Sequence, residues 1–351
     1  MRAAMRATAW PPEGQERLAA CPVCGDRRRS TVYADLTDEV FFCAPGSWAM
    51  HRCERCGSHY LDPRPDAGSI HLAYARYFTH AAAGGAARDT ELRGFAKLRR
   101  GLANGYRNWR YGTQARPAYR FGIAFAFLVP RWRQEADARM RFIPRAGAGR
   151  RLLDVGAGNG DFLLRARAAG WEVVGVEPDP AAVAAARRAG LDVREGGIHA
   201  VADEAGRFDV ITMHHVIEHV HDPRQTLRDA FALLRSGGRL YLETPNVTSQ
   251  GHARFGRHWR GLEPPRHLVL FHWDSLEHLL REIGFGEIQR RPRPAVYPTL
   301  AAKSRAIQHG QDPEALGPAP WLRRFADSVR AGKTLVDRRG CEFITLVATK
   351  R

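Results

Sequence analysis

The sequence predicts an α/β fold, a doubly wound and mostly parallel sheet, preceded by a small cysteine-bearing module and a basic helical segment. Three observations carry this expectation. From Arg150 onward, short apolar runs alternate with periodic Ala/Leu-rich stretches, the order expected of strands and crossover helices in a sheet covered on both faces. The first apolar run, Leu152-Leu153-Asp154-Val155, stops in the turn Gly156-Ala157-Gly158-Asn159-Gly160, and the next short strand ends in Glu177. Two C-x-x-C pairs, Cys21/Cys24 and Cys53/Cys56, stand ahead of both.

The elements follow in order. Strand 151–155 and the glycine turn lead into a helix from Asp161 to about Ala169, ended by Gly170. Strand 172–176 comes next, and Asp179-Pro180 supplies an N-cap and an N1 proline for a helix closing near Gly190. Leu191-Asp192-Val193 makes a third strand and Phe208 to Met213 a fourth. Asp222-Pro223 opens a helix with Leu227, Phe231 and Leu234 on one side, stopped by Gly237-Gly238 before a fifth strand at Leu240-Tyr241-Leu242. Asp274-Ser275-Leu276-Glu277 reads as a capping box for a helix with Leu276, Leu279, Leu280 and Ile283 on one face. Phe343 to Ala348 supplies the terminal strand. Ahead of the sheet, Thr31-Val32-Tyr33 and Val40-Phe41-Phe42 are the β-like pieces between the cysteine pairs, and a Gly-rich break falls at Gly84-Gly85.

These boundaries divide the chain into a flexible tail (1–18), a four-cysteine module (19–65), a basic helical cap or linker (66–146) and the α/β domain (147–351), whose residues 246–272 form a non-periodic loop. At 351 residues the chain can bury a large core. The net charge is +17, and fourteen Lys/Arg against four Asp/Glu lie between Arg88 and Arg145. Such a field attracts polyanions or an anionic membrane surface, although an Arg-rich decoration of solvated helices reads equally well. No apolar h-region precedes the first cysteine, and the longest apolar run, Phe121 to Pro130, is half of the roughly 20 residues a spanning helix needs. A cytoplasmic location is expected, with peripheral contact at the inner membrane surface as a variant; within that variant 121–130 is an interfacial helix, otherwise a core helix packed on the α/β domain.

A G-x-G-x-G turn between strand and helix lets a ligand approach the backbone closely and aims a helix N-terminus at an anionic group. The third glycine comes one residue early for the dinucleotide pattern, so nothing argues for a pyrophosphate. An acid closing the next strand suits the two hydroxyls of a ribose. These residues resemble the class I S-adenosylmethionine-dependent methyltransferases, whose domain is Rossmann-like. Further resemblance lies in Phe208-Asp209-Val210-Ile211-Thr212-Met213-His214-His215-Val216-Ile217-Glu218-His219, followed by Asp222-Pro223, and in Leu234-x-x-Gly237-Gly238-x-Leu240. That group includes quinone-type O-methyltransferases and natural-product and sugar tailoring enzymes. The resemblance implies S-adenosyl-L-methionine held by Asp154, Gly156, Ala157, Gly158, Gly160, Glu177, Pro178 and His214.

Methyl transfer to a hydroxyl needs a base, and a histidine near neutrality suits that role. His215 stands at the strand-4 end, which in the family faces cofactor and substrate. His215 and His219, four apart, are expected to share a helix face, with His219 serving either chemistry or packing. His215-x-x-Glu218-His219 also fits an inverted zinc-protease motif, set aside because the strand-4 position explains it without metal. In some quinone O-methyltransferases the equivalent Glu and His hold a divalent ion. Trp259-Arg260-Gly261-Leu262-Glu263-Pro264-Pro265-Arg266-His267, with Phe271 beyond, resembles a signature of zinc-ribbon-bearing bacterial methyltransferases. It is expected to be a shaped acceptor loop, with Arg266 or His267 contacting the acceptor and His267 competing with His215 as base; the alternative is that both only brace the loop.

The two C-x-x-C pairs, each followed by glycine, have the ligand set of a closed zinc ribbon: Cys21, Cys24, Cys53 and Cys56 around one structural zinc. Cys43 and Cys341 are expected to be packing residues. The expected acceptor is a small molecule or a glycan- or lipid-linked precursor, methylated on oxygen. The alternative is RNA, held by the ribbon and by a basic segment in which Trp109, Tyr111, Tyr119 and Phe121 interleave with arginines. Strand 4 lacks the Asn/Asp-Pro-Pro-aromatic motif used on exocyclic base amines. Oligomeric state is not legible.

Overall fold

The computed structural model describes residues 9–75, 94–291, 293, 296–317, 320–333 and 338–351. Part of the expected tail and the Gly84-Gly85 break lie outside the described residues. The thirteen described strands run β1 (Gln15–Glu16), β2 (Arg29–Leu36), β3 (Trp48–Cys53), β4 (His59–Leu61), β5 (Arg64–Pro65), β6 (Arg151–Val155), β7 (Glu172–Glu177), β8 (Asp192–Glu195), β9 (Phe208–His214), β10 (Leu234–Pro245), β11 (Val269–Leu270), β12 (Phe285–Arg290) and β13 (Phe343–Lys350). Seven make the main sheet in the order β12-β13-β10-β9-β6-β7-β8. The pairs β6–β7, β6–β9 and β7–β8 are parallel. The sheet order reverses at β6, the first strand of the α/β half, as a doubly wound fold requires.

The chain folds as two compact units that cross the expected boundaries. One is drawn from Met1–Tyr77, His215–Arg228 and Leu242–Leu346, the other from Phe78–His214, Asp229–Tyr241 and Val347–Arg351. In the first, β11, β4, β3 and β2 form a second sheet, so two residues of the 246–272 loop complete the ribbon's sheet by pairing antiparallel with β4. Its core gathers Trp10, Trp48, Met50 and Leu61 with Val247, Phe255, Trp259, Leu270 and Tyr297. The second unit packs Leu152, Phe162, Leu163, Trp171, Val183, Val193 and Val210 into a core along β6, β7 and β8.

Several local expectations are corrected. Val40-Phe41-Phe42 is not a strand; the pieces between the cysteine pairs are β2 and β3. Residues 215–219 turn rather than coil into a helix, with the His219 N–H bonded to the Val216 carbonyl at 2.9 Å, so His215 and His219 share no helix face. The helix expected at the capping box begins at Trp273 and is capped by the His272 ring, which accepts from the Asp274 N–H. An apolar face outranks a cap in placing a helix start, and Trp273 is buried with Leu276, Leu279 and Leu280. Phe121–Leu128 is an exposed helix rather than a core one, with Phe121 81 % and Leu128 80 % accessible. Among the described residues no helix is long and apolar enough to cross a membrane.

Candidate functional site

The glycine turn is built by the two strands that flank it. The N–H groups of Gly156 and Ala157 both donate to the Val176 carbonyl, at 2.9 and 3.0 Å, tying the end of β6 to the end of β7. Gly156, Gly158 and Gly160 all adopt positive φ. At Gly160 a Cβ would stand 2.3 Å from Leu191 Cδ1, so the helix Asp161–Ala168 seats on the chain leading into β8 only because that residue has no side chain. Among the described residues nothing lies within 4 Å of a Cβ at Gly158, where the turn presents bare backbone.

Glu177 closes the cradle. Its carboxylate accepts from the Gly158 N–H at 2.8 Å and from the Asp179 N–H at 3.0 Å. Burial raises its pKa against the lowering effect of these amides. Asp154 is fully buried and accepts from the Thr212 hydroxyl at 2.8 Å and from the Arg141 guanidinium, while its second oxygen has no partner among the described residues. Burial raises the Asp154 pKa too, and Arg141 opposes the rise. Arg141 was not marked by the sequence. It lies 3.8 Å over the Phe162 ring, and no spacing rule would have found it. Ala157 is buried and Pro178 exposed, whereas His214 ends β9 with its ring stacked near Tyr241 at 6.4 Å. The cradle therefore offers a backbone turn, an acid at the end of the next strand and a buried carboxylate whose second oxygen has no partner among the described residues. That donor set fits an adenosyl cofactor carrying an amino-acid tail.

In the other unit His215 follows β9 with φ +56, a left-handed conformation uncommon for a residue with a Cβ. The strain is held by its N–H, which donates to the Glu243 carbonyl oxygen at 2.9 Å. Its ring lies between two buried carboxylates. Nδ1 is 3.1 Å from Glu218 Oε1, and Nε2 is 3.7 Å from Glu243 Oε1. Burial lowers the His215 pKa, but Glu218 and Glu243 together outweigh it, and the net shift is upward. Glu243 is itself held by Arg293 at 2.6 Å and by the Thr345 hydroxyl at 2.7 Å. Glu243 and Arg293, like Arg141, were not found by sequence reasoning.

The loop residues are placed differently. Arg266 is fully enclosed, its guanidinium bridging Asp38, the Ala73 carbonyl at 2.8 Å and Glu263 at 3.1 Å. Asp38 also receives the N–H groups of Val40, Phe41, Cys43 and Ala44, so it anchors the segment that the sequence suggested as a strand. The His267 ring is buried with Nδ1 2.8 Å from the Gly261 carbonyl oxygen, and burial pulls its pKa down to about 4. His219 packs edge-on to His267 at 4.8 Å, and its Nδ1 lies 3.0 Å from both the Tyr74 hydroxyl and the Arg266 carbonyl. Glu218, His219 and His267 converge closely enough to share an ion. Trp259 is buried, donating to Glu342 at 2.8 Å. Of the leftover cysteines, Cys341 is buried and Cys43 half-buried.

Cys21, Cys24, Cys53 and Cys56 have sulfurs that all lie within 4.8 Å of one another, with Cys21–Cys56 at 3.7 Å and Cys24–Cys53 at 3.5 Å. Four thiolates about 2.3 Å from one zinc would stand about 3.8 Å apart in a tetrahedron. The spacing fits that ion. Both pairs share the same turn: the Gly25 N–H donates to the Cys21 carbonyl, and the Gly57 N–H to the Cys53 carbonyl.

The sequence profile of a family described as "Methyltransferase domain" matches residues 129–289. Curated relatives include the ubiquinone biosynthesis O-methyltransferase of Methylocella silvestris, 32 % identical over 158 residues, covering 39 % of this chain and 62 % of the relative. The protein of that name from Aromatoleum aromaticum is 37 % identical over 109 residues, covering 28 % of this chain and 45 % of the relative. The chain thus spans less than two thirds of the curated relatives it matches. A solved S-adenosylmethionine-dependent methyltransferase from Archaeoglobus fulgidus aligns over 66 % of this chain and 100 % of its own, at 19 % identity and a TM-score of 0.42.

Proposed function

We propose, from a class I S-adenosylmethionine-dependent methyltransferase domain at residues 129–289, that this chain transfers a methyl group to an oxygen of a small-molecule acceptor. The observation that carries the reading is the glycine turn whose Gly158 amide meets the strand-ending acid Glu177. The relatives named ubiquinone biosynthesis O-methyltransferase support oxygen as the target. The cofactor supplies an activated methyl group. Glu177 would hold the ribose, the Gly156–Gly160 backbone would lie against the amino-acid part, and Asp154 would offer its free oxygen to an amino group.

His215 takes the base role. It stands beyond the carboxyl end of a central strand, where open α/β sheets receive ligands. Its strained backbone singles it out, and Glu218 and Glu243 stabilise the imidazolium that forms when it takes a proton. His267 suits the role less, because its ring is enclosed and biased toward the neutral, weakly basic form. Arg266 acts as a brace. A structural zinc in the four-cysteine cluster belongs to the same proposal, closing the ribbon without an open coordination position.

The test is release of the demethylated cofactor in the presence of phenols, quinone precursors, sugar nucleotides and RNA. Turnover with a hydroxyl-bearing small molecule, lost at least 100-fold in His215→Ala with cofactor affinity retained, is expected. Turnover only with RNA would overturn the acceptor class. Full activity in His215→Ala would overturn the base.

A further inference from the structure

The helix Phe121–Leu128 is amphipathic in reverse. Its small residues face inward: Gly122 and Ala126 are buried, and a Cβ on Gly122 would lie 1.9 Å from the Leu102 carbonyl oxygen. The opposing helix Gly94–Tyr111 makes the matching concession at Gly105, where a Cβ would meet the Tyr119 carbonyl at 1.8 Å. Such close backbone contact leaves no room for large side chains between the helices. They point outward instead, with Phe121 81 %, Phe127 56 % and Leu128 80 % exposed. Trp109, 47 % exposed, meets the Phe127 ring edge-on at 6.0 Å and extends the patch onto the longer helix. Water is a poor solvent for a contiguous face of this kind.

The rim decides what covers it. Arg116, Arg120 and Arg131 are exposed at the two ends of the short helix, and the Arg133 guanidinium lies 5.1 Å from the Phe127 ring centroid. From 94 to 145 there are twelve Lys/Arg and two Asp/Glu. An apolar face ringed by arginines complements an anionic lipid surface, where rings and aliphatic groups enter the acyl boundary and guanidinium groups stay with phosphates. Leu128 argues against a nucleic-acid platform, since a strongly exposed aliphatic side chain offers no base a stacking face. We propose that this face docks the protein onto an anionic bilayer.

The test is co-sedimentation of the full chain with vesicles of phosphatidylcholine alone or mixed with phosphatidylglycerol. Association with the anionic vesicles, weakened at least tenfold by high salt, is expected. The triple variant Phe121→Ser, Phe127→Ser, Leu128→Ser should bind at least tenfold more weakly with its circular dichroism and cofactor affinity unchanged. Arg116→Gln with Arg120→Gln and Arg131→Gln should lose the preference for anionic lipid. Three results would overturn the proposal: no vesicle association, a serine variant that binds as wild type does, or a serine variant whose only change is dissociation of a dimer. Preference for single-stranded RNA over vesicles, lost in the serine variant, would replace the bilayer with nucleic acid.

Discussion

Replacing Arg266 by Met separates a structural brace from an acceptor-binding residue. The guanidinium is fully enclosed and engages two carboxylates, Asp38 and Glu263, that are themselves buried. Breaking a buried ion pair by removing one partner costs about 3–5 kcal/mol, because a charge stays behind without its counterion. Two pairs would double that figure, but both carboxylates keep other partners. Asp38 retains four backbone N–H donors, and Glu263 retains Arg260. The expected loss is therefore that of about one pair rather than two, about 4 kcal/mol, a large share of a domain's roughly 5–15 kcal/mol. With a urea dependence of about 3 kcal/mol per molar, the unfolding midpoint should fall by roughly 1–1.5 M.

The loss should also depend on pH. Burial raises the Asp38 pKa, but Arg266 and the backbone amides outweigh it and the net shift is downward; Glu263, held chiefly by Arg260 against burial, is shifted the same way. Groups depressed on folding contribute stability that is present above their unfolded pKa of about 4 and disappears as pH falls through the folded value. The difference between wild type and Arg266→Met should thus be full at pH 7 and shrink below about pH 4. Urea unfolding followed by circular dichroism at pH 7 and pH 3.5 measures both. A variant with an unchanged midpoint but no acceptor turnover would refute the brace and return Arg266 to the acceptor.

Metal analysis should find one zinc per chain, and Cys24→Ser with Cys56→Ser should remove it and lower the thermal midpoint; a stable, metal-free wild type would sink the ribbon assignment. Gly160→Ala should lose about 1–3 kcal/mol, since its φ is +88 and its methyl group would collide with Leu191, and differential scanning calorimetry reads the change. Glu177→Ala should weaken cofactor binding at least tenfold by titration calorimetry, with the fold unchanged in circular dichroism. A base must be unprotonated, so the raised His215 pKa places the acid limb of the rate profile at higher pH than an ordinary histidine would. Glu218→Gln removes the main group that raises it and should move that limb to lower pH, whereas an unmoved limb would show another group titrating.

The α/β half was legible because its signals are local. An apolar run, a glycine turn, an Asp-Pro cap and a strand-ending acid each act within a few residues, and β6 through β9 appear where those signals put them. Tertiary contacts decided the rest. His215 takes a left-handed conformation because its N–H reaches Glu243, which lies 28 positions away, and that contact cancels the helix its spacing suggested. Asp38 gathers four amides into a turn because Arg266 holds it, so Val40-Phe41-Phe42 never becomes a strand despite its β-rich composition. Hydropathy placed 121–130 in a core because it cannot tell that the small residues face in.

The loop from Trp259 to Phe271 shows how a chemical signature can serve folding. Its tryptophan, arginine and histidine are the types expected at an acceptor site, yet each is enclosed and engaged with a partner from its own unit. Trp259 reaches Glu342, whose pKa burial raises to about 7, Arg266 reaches Asp38 of the ribbon segment, and two loop residues become β11 of the ribbon's sheet. The loop thereby fastens the cysteine module to the segment that carries His219 and Glu218. It follows that loss of activity in a loop variant says nothing about acceptor contact unless stability is measured in the same variant. Acceptor chemistry is better sought at His215, whose side chain, unlike the enclosed His267, keeps partial exposure (29 %) while two buried carboxylates bias its proton affinity.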